Sequence, residues 1–141
     1  MSVLDDLLAE GLIEAVESDL STASQWIEDA RRHVEAARAI VSIDPSGAYV
    51  LAYDAARKSV AAVLAITGHR VLSRPGSHQA IARFAESLSE ETGQPAFDYL
   101  DRMRRNRNRS EYSSRTFGAA EVEEAIRLAG LMTEVCSQRL R

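Results

Sequence analysis

One cysteine, three prolines and seven glycines are spread over 141 residues, and lysine is represented by Lys58 alone. With Cys136 unpartnered in sequence, no intramolecular disulfide can staple the fold, which suits a reducing compartment. Proline at 45, 75 and 95 only, with glycine equally sparse, leaves few places where a helix must stop. β-Branched runs are short while alanine, leucine and glutamate are abundant, so helix is the favoured local conformation. No apolar run approaches the roughly 18 residues needed to span a bilayer. Asp5 and Asp6 stand where a secretory leader carries basic residues, so a cytoplasmic protein with no membrane partner is expected.

What is present describes a globular chain: 45% hydrophobic and 27% charged residues, enough for one domain over 1–141 with a buried core. The net charge of −4 argues against a protein that coats nucleic acid everywhere. The average conceals an asymmetry, because five arginines crowd between Arg102 and Arg109 with no acid among them. Arginine is otherwise the general cation here, 16 of the 17 basic residues.

Punctuation divides the chain into about five to six helices. A first helix is expected from Val3 to Val16, within an N-terminal segment 1–18, with Gly11 as its weak point. The core bundle, 20–140, follows. Trp26, Ala30, Val34, Ala37 and Val41 repeat at spacings of three and four, which predicts one buried face over Ser21–Ser42. Asp44-Pro45 reads as N-cap and first-turn proline of a third helix, stopped by Gly68. Its alanines at 48, 52, 55, 56, 61, 62 and 65 allow close approach and place it at the centre. A loop from Gly68 to Gly76 leads to a short helix capped by Ser77, and a fifth runs from near Pro95 to Tyr112. The last, from Ala119 to about Leu140, aligns Val122, Ile126, Ala129, Met132 and Cys136, so Cys136 reads as a buried structural thiol. Short connections between amphipathic helices predict an all-α, up-and-down antiparallel bundle.

The fifth helix breaks its own pattern. From Phe97 and Leu100 the core stripe continues to Arg104, Arg107, Asn108 and Glu111, so an apolar face turns polar halfway along. Burying unpaired guanidinium groups costs several kcal/mol, on the order of a domain's whole margin. This half must project, enter a polar network or meet a partner. Asp98 with Arg102 and Asp101 with Arg105 are spaced as i, i+4 ion pairs. Five cations exceed what macrodipole compensation requires, and an anion-binding or partner surface through Arg102, Arg104, Arg107 and Arg109 is expected. His33, His69 and His78 are dispersed, without HExxH or paired-ligand spacing, so neither a metal nor another cofactor is expected.

The run Arg105-Asn106-Arg107-Asn108-Arg109-Ser110-Glu111-Tyr112 resembles the signature of the HEPN family of small helical bundles. Active ribonucleases of that family carry an arginine, a polar residue after it, and a histidine further along the helix, often followed by x-Tyr. Arg105, Asn106 and Tyr112 match; Ser110 stands at the histidine position. Softer matches are Tyr53-Asp54-Ala55-Ala56-Arg57-Lys58, Gly68 and His78. The resemblance covers residues 20–140 and implies a homodimeric RNA-binding domain of a bacterial toxin–antitoxin or defence system. It implies Arg105, Asn106, Ser110 and Tyr112 as the catalytic positions of a metal-independent endoribonuclease. Serine cannot take the 2′-hydroxyl proton as histidine does, and a positioned base contributes ~10²–10⁴-fold, so the implied cleavage is weak at most. The rival implication is a non-catalytic scaffold for a protein partner, such as a nucleotidyltransferase or another antitoxin.

Overall fold

The computed structural model describes residues 2–112 and 116–141, with Glu111 and Tyr112 described by backbone alone. Ser2 opens α1 (Val3–Ala9) with a capping box: its hydroxyl accepts from the Asp5 N–H while the Asp5 carboxylate accepts from the Ser2 N–H. The expected run to Val16 stops here. Gly11 takes φ +70°, a left-handed turn that ends the helix, and Ile13–Ala15 becomes strand β1. Its partner is β2, His69–Val71, in what reads from sequence as a plain loop. The antiparallel register pairs Ile13 with Val71 and Ala15 with His69, and the Glu14 carboxylate receives the Arg70 guanidinium. A β-hairpin-like pairing across 54 residues of chain has no short-range signal, which is why periodicity missed it.

The remaining elements follow the expected division. The Asp19 side chain accepts from the Thr22 N–H at 2.9 Å to start α2, Leu20–Ile40. Asp44 likewise caps α3, Pro45–Ile66, accepting from Gly47 N–H at 3.0 Å with Pro45 in the first turn. Gly68, at φ +84°, lies just beyond that helix. Helix α4, His78–Thr92, follows Ser77, whose hydroxyl donates to the Arg74 carbonyl instead of capping. Gly93, left-handed at φ +72°, ends it. The expected fifth helix is two elements, a 3-10 turn over Pro95–Tyr99 and α5 over Leu100–Tyr112. The last is α6, Ala119–Arg139.

The architecture is an all-α helical bundle. Ala48, Ala52, Ala55, Ala56 and Ala62 are fully buried, and their small side chains let α3 pack closely against α2 and α6. The expected α6 stripe is buried as well, with Val122, Ala129, Met132 and Cys136 all at 0% exposure. Burial pushes the Cys136 thiol up to about 12, so it stays protonated. Helices α2 and α6 run antiparallel, as the Arg31–Glu134 pair at 3.2 Å and the approach of Gly130 to Arg38 show. Deep between α3 and α6, Thr133 donates to the Ala129 carbonyl at 2.8 Å, leaving Ser59 to donate to Thr133 at 2.9 Å. One expectation changes on α2: Ala23 and Ile27 fill the core, while Trp26 is only half-buried. No helix among the described residues is long and apolar enough to cross a membrane.

Gly68 and Gly76 separate two costs of adding a methyl group. At Gly76, φ +83° with open space around the would-be Cβ, alanine should cost only the backbone strain, about 1 kcal/mol. At Gly68 the Cβ would also sit 3.0 Å from the carbonyl oxygen of Val16, the residue just past the end of β1 whose own N–H bonds to the Gly68 carbonyl. Urea denaturation should therefore show Gly68→Ala losing about 2 kcal/mol or more. Equal effects at the two positions would contradict the tight packing of the N-terminal strand.

Candidate functional site

Helix α5 sorts its residues by angle. Leu100 and Met103 are each 2% exposed and Asn106 is 9% exposed, three residues apart on the face turned to the bundle. Arg102, Arg105 and Arg109 are exposed on the opposite stripe, and Arg104 and Arg107 lie between, half-buried on the flank. Two arginines of the expected core stripe, Arg104 and Arg107, have specific partners. Asp101 accepts from Arg104 at 3.0 Å and pairs with Arg105 at 3.3 Å. The Arg107 guanidinium sits 5.0 Å from the centre of the Tyr53 ring, a cation–π contact to α3. The Asp98–Arg102 pair expected from helical spacing gives way to a different one: Asp98 accepts from the Ser89 hydroxyl at 3.0 Å. Asp98 belongs to the 3-10 turn, so the i, i+4 geometry is not available to it.

Asn106 anchors this arrangement. Its side-chain amide donates to the Tyr49 hydroxyl at 3.0 Å, and the Tyr49 ring stacks on Phe117 with centroids 4.3 Å apart. One buried amide thus links α5, α3 and the segment leading into α6. Ser110 donates to the Arg107 carbonyl at 2.8 Å, within its own helix. The positions matched to the family signature are therefore divided: Arg105 faces solvent, Asn106 faces the core, and Ser110 bonds back to the helix. The Tyr112 side chain lies outside the described residues.

On the flank where Arg104 lies, a cleft of about 800 Å³ opens between α2, α3, α5, β2 and the start of α4. Tyr53, Arg57 and His78, scattered in sequence, line it together with Arg104, His69 and Trp26. Reading the histidines as dispersed missed this. His69 closes the pairing with β1 while His78 opens α4, and the intervening loop returns the chain to the same place. The Nδ1 of His69 lies 3.0 Å from the Thr67 hydroxyl. His33 stands elsewhere, between α2 and α3, with Nε2 2.8 Å from Lys58 Nζ. Partial burial and the Lys58 charge lower its pKa, so it is a neutral acceptor for the ammonium. Among the described residues no group of His, Cys, Asp and Glu gathers in a metal-binding arrangement.

A family model for the HEPN domain matches residues 23–139. The chain belongs to the HEPN domain family. The match begins inside α2, so α1 and β1 lie outside the matched residues. No curated protein and no solved structure matches the chain.

The placement of Asn106 makes a testable contrast with Arg105. Asn106→Ala deprives a buried hydroxyl of its donor and should cost about 1–3 kcal/mol. Arg105→Ala loses an exposed ion pair and should change stability by less than about 0.5 kcal/mol. Chemical denaturation with both proteins measures the difference. A neutral Asn106→Ala would show that the amide is not the anchor described.

Proposed function

We propose that this HEPN domain binds single-stranded RNA as a homodimer, in a bacterial toxin–antitoxin or defence setting. The observation that carries the reading is the exposed stripe of Arg102, Arg105 and Arg109 on α5, spaced by one and two helical turns. Three guanidinium groups on one rigid face concentrate positive charge there, with Asp101 beside Arg105 offsetting part of it, and each offers a planar fork of donors to phosphate oxygens. The chain as a whole is acidic, so this stripe is a local feature that selects where a polyanion lands. A membrane surface is a poorer match, since α5 has no broad apolar face beside its cations. Pairing of the polar ends of two α5 helices across a twofold axis sets two stripes beside one composite groove, six cations in all.

Binding, not rapid turnover, is the activity this site supports. Arg105 can clamp a phosphate and stabilise charge on it, but a proton acceptor is also required. Ser110 stands where the family histidine would act, and its hydroxyl donates to Arg107. Any cleavage from α5 is therefore weak.

If a dimer engages about six phosphates, log K for a single-stranded RNA should fall with log salt at a slope of roughly −4. Arg105→Ala combined with Arg109→Ala removes four of those six contacts and should flatten the slope to roughly −1.4. Fluorescence anisotropy over a salt series, with light scattering on the same samples, reads both affinity and dimerisation. Unchanged affinity in the folded double variant would remove the RNA reading and leave the stripe as a protein-docking face. A monomer at tens of micromolar would remove the composite groove.

A further inference from the structure

We propose that the flank cleft is a second, separate site, which binds a small organic carboxylate with an apolar body. At about 800 Å³ it falls in the range of small-molecule pockets, ~300–1,000 Å³. Its floor is apolar, with Leu64, Leu100 and Ile81 among the lining side chains and Trp26 at its edge. Polar groups converge on this floor from two helices: Tyr53 and Arg57, one turn apart on α3, and Arg104 from α5.

Tyr53 is the observation that points to a ligand. It is only 6% exposed, yet its hydroxyl has no hydrogen-bond partner among the described residues. That hydroxyl opens on the cleft, where a ligand carboxylate can replace water as its partner. Burial raises the Tyr53 pKa, so it remains a donor. Arg104, with its side chain 19% exposed, already holds the Asp101 carboxylate at 3.0 Å, which shows the geometry that guanidinium accepts. Arg57 is held only loosely by Asp54, at 3.6 Å, and can turn to a ligand.

Charge balance decides the class of anion. The lining arginines, Arg57, Arg70 and Arg104, are matched by the acids Glu17, Asp19 and Asp101. A cleft so balanced repels a polyanion about as strongly as it attracts one, whereas a single carboxylate needs one phenol and one guanidinium. A phosphate-rich ligand belongs instead to the unbalanced outer stripe. The apolar floor supplies the rest of the affinity through burial of the ligand's hydrocarbon.

Trp26 is the only tryptophan in the chain and lines the cleft, so its fluorescence reports occupancy directly. Octanoate titrated into the full-length protein should give a saturable change. 1-Octanol and octylammonium should bind at least about tenfold more weakly, since each loses the charge-assisted bonds. Arg104→Ala should weaken octanoate by about tenfold, and Tyr53→Phe by about threefold or more. Arg57→Gln repeats the test without disturbing the Arg104–Asp101 pair. A linear, unsaturable response to octanoate, or octanol binding as tightly as octanoate, overturns the proposal. So does octanoate binding that is unmoved in all three variants. None of these residues belongs to the outer stripe, so this failure would leave the RNA reading standing.

Discussion

A guanidinium group cannot be buried alone. Its desolvation costs several kcal/mol, against a total stability of about 5–15 kcal/mol for a domain, so every arginine must reach water or a partner. Helix α5 carries five of them in eight residues, and the rest of the bundle is arranged around that demand. The three at one angle reach solvent. The two on the flank are received by Asp101 and by the face of Tyr53. Between them Asn106, buried and bonded to Tyr49, fixes the rotation of the helix, since turning it by one residue would carry an arginine inward.

The close packing of α3 makes this possible. Alanines on its faces toward α2 and α6 bring those helices near, while its tyrosines, Tyr49 and Tyr53, are the bulky groups directed at α5. Each tyrosine offers an apolar ring for packing and a polar handle. Tyr49 uses its hydroxyl on Asn106, and Tyr53 offers its ring to Arg107. One helix therefore supplies the core, the anchor of the basic helix and a wall of the flank cleft.

Much of this was legible in the amino-acid order. Asp44 as a cap, Gly68 as a stop, and the Val122–Cys136 stripe are local signals with local causes, and α2, α3, α4 and α6 lie nearly at their expected bounds. The family signature on α5 is legible for the same reason, as a short run on one helix. Long-range features were not. The pairing of β1 with β2 depends on residues 54 apart, and Gly11 looked like a weak point in a helix when it was the end of one. Trp26 fits the periodicity of a core residue, but no neighbour covers it fully. The cleft joins Tyr53, His69, His78 and Arg104 by tertiary packing alone, so dispersed polar residues could not be read as a site. Asn106 carries a second role that its place in the motif does not announce: its amide bonds to Tyr49, a tyrosine of the core.

The central claim is the angular division of the α5 arginines, three outward and two packed. Nuclear magnetic resonance of the arginine Nε–Hε groups tests it in one titration, because each side chain gives its own signal. On addition of a short single-stranded RNA, the account predicts shifts at Arg102, Arg105 and Arg109, with Arg104 and Arg107 unmoved at the same stoichiometry. RNA that shifts Arg104 and Arg107 first, leaving the outer three in place, would contradict it.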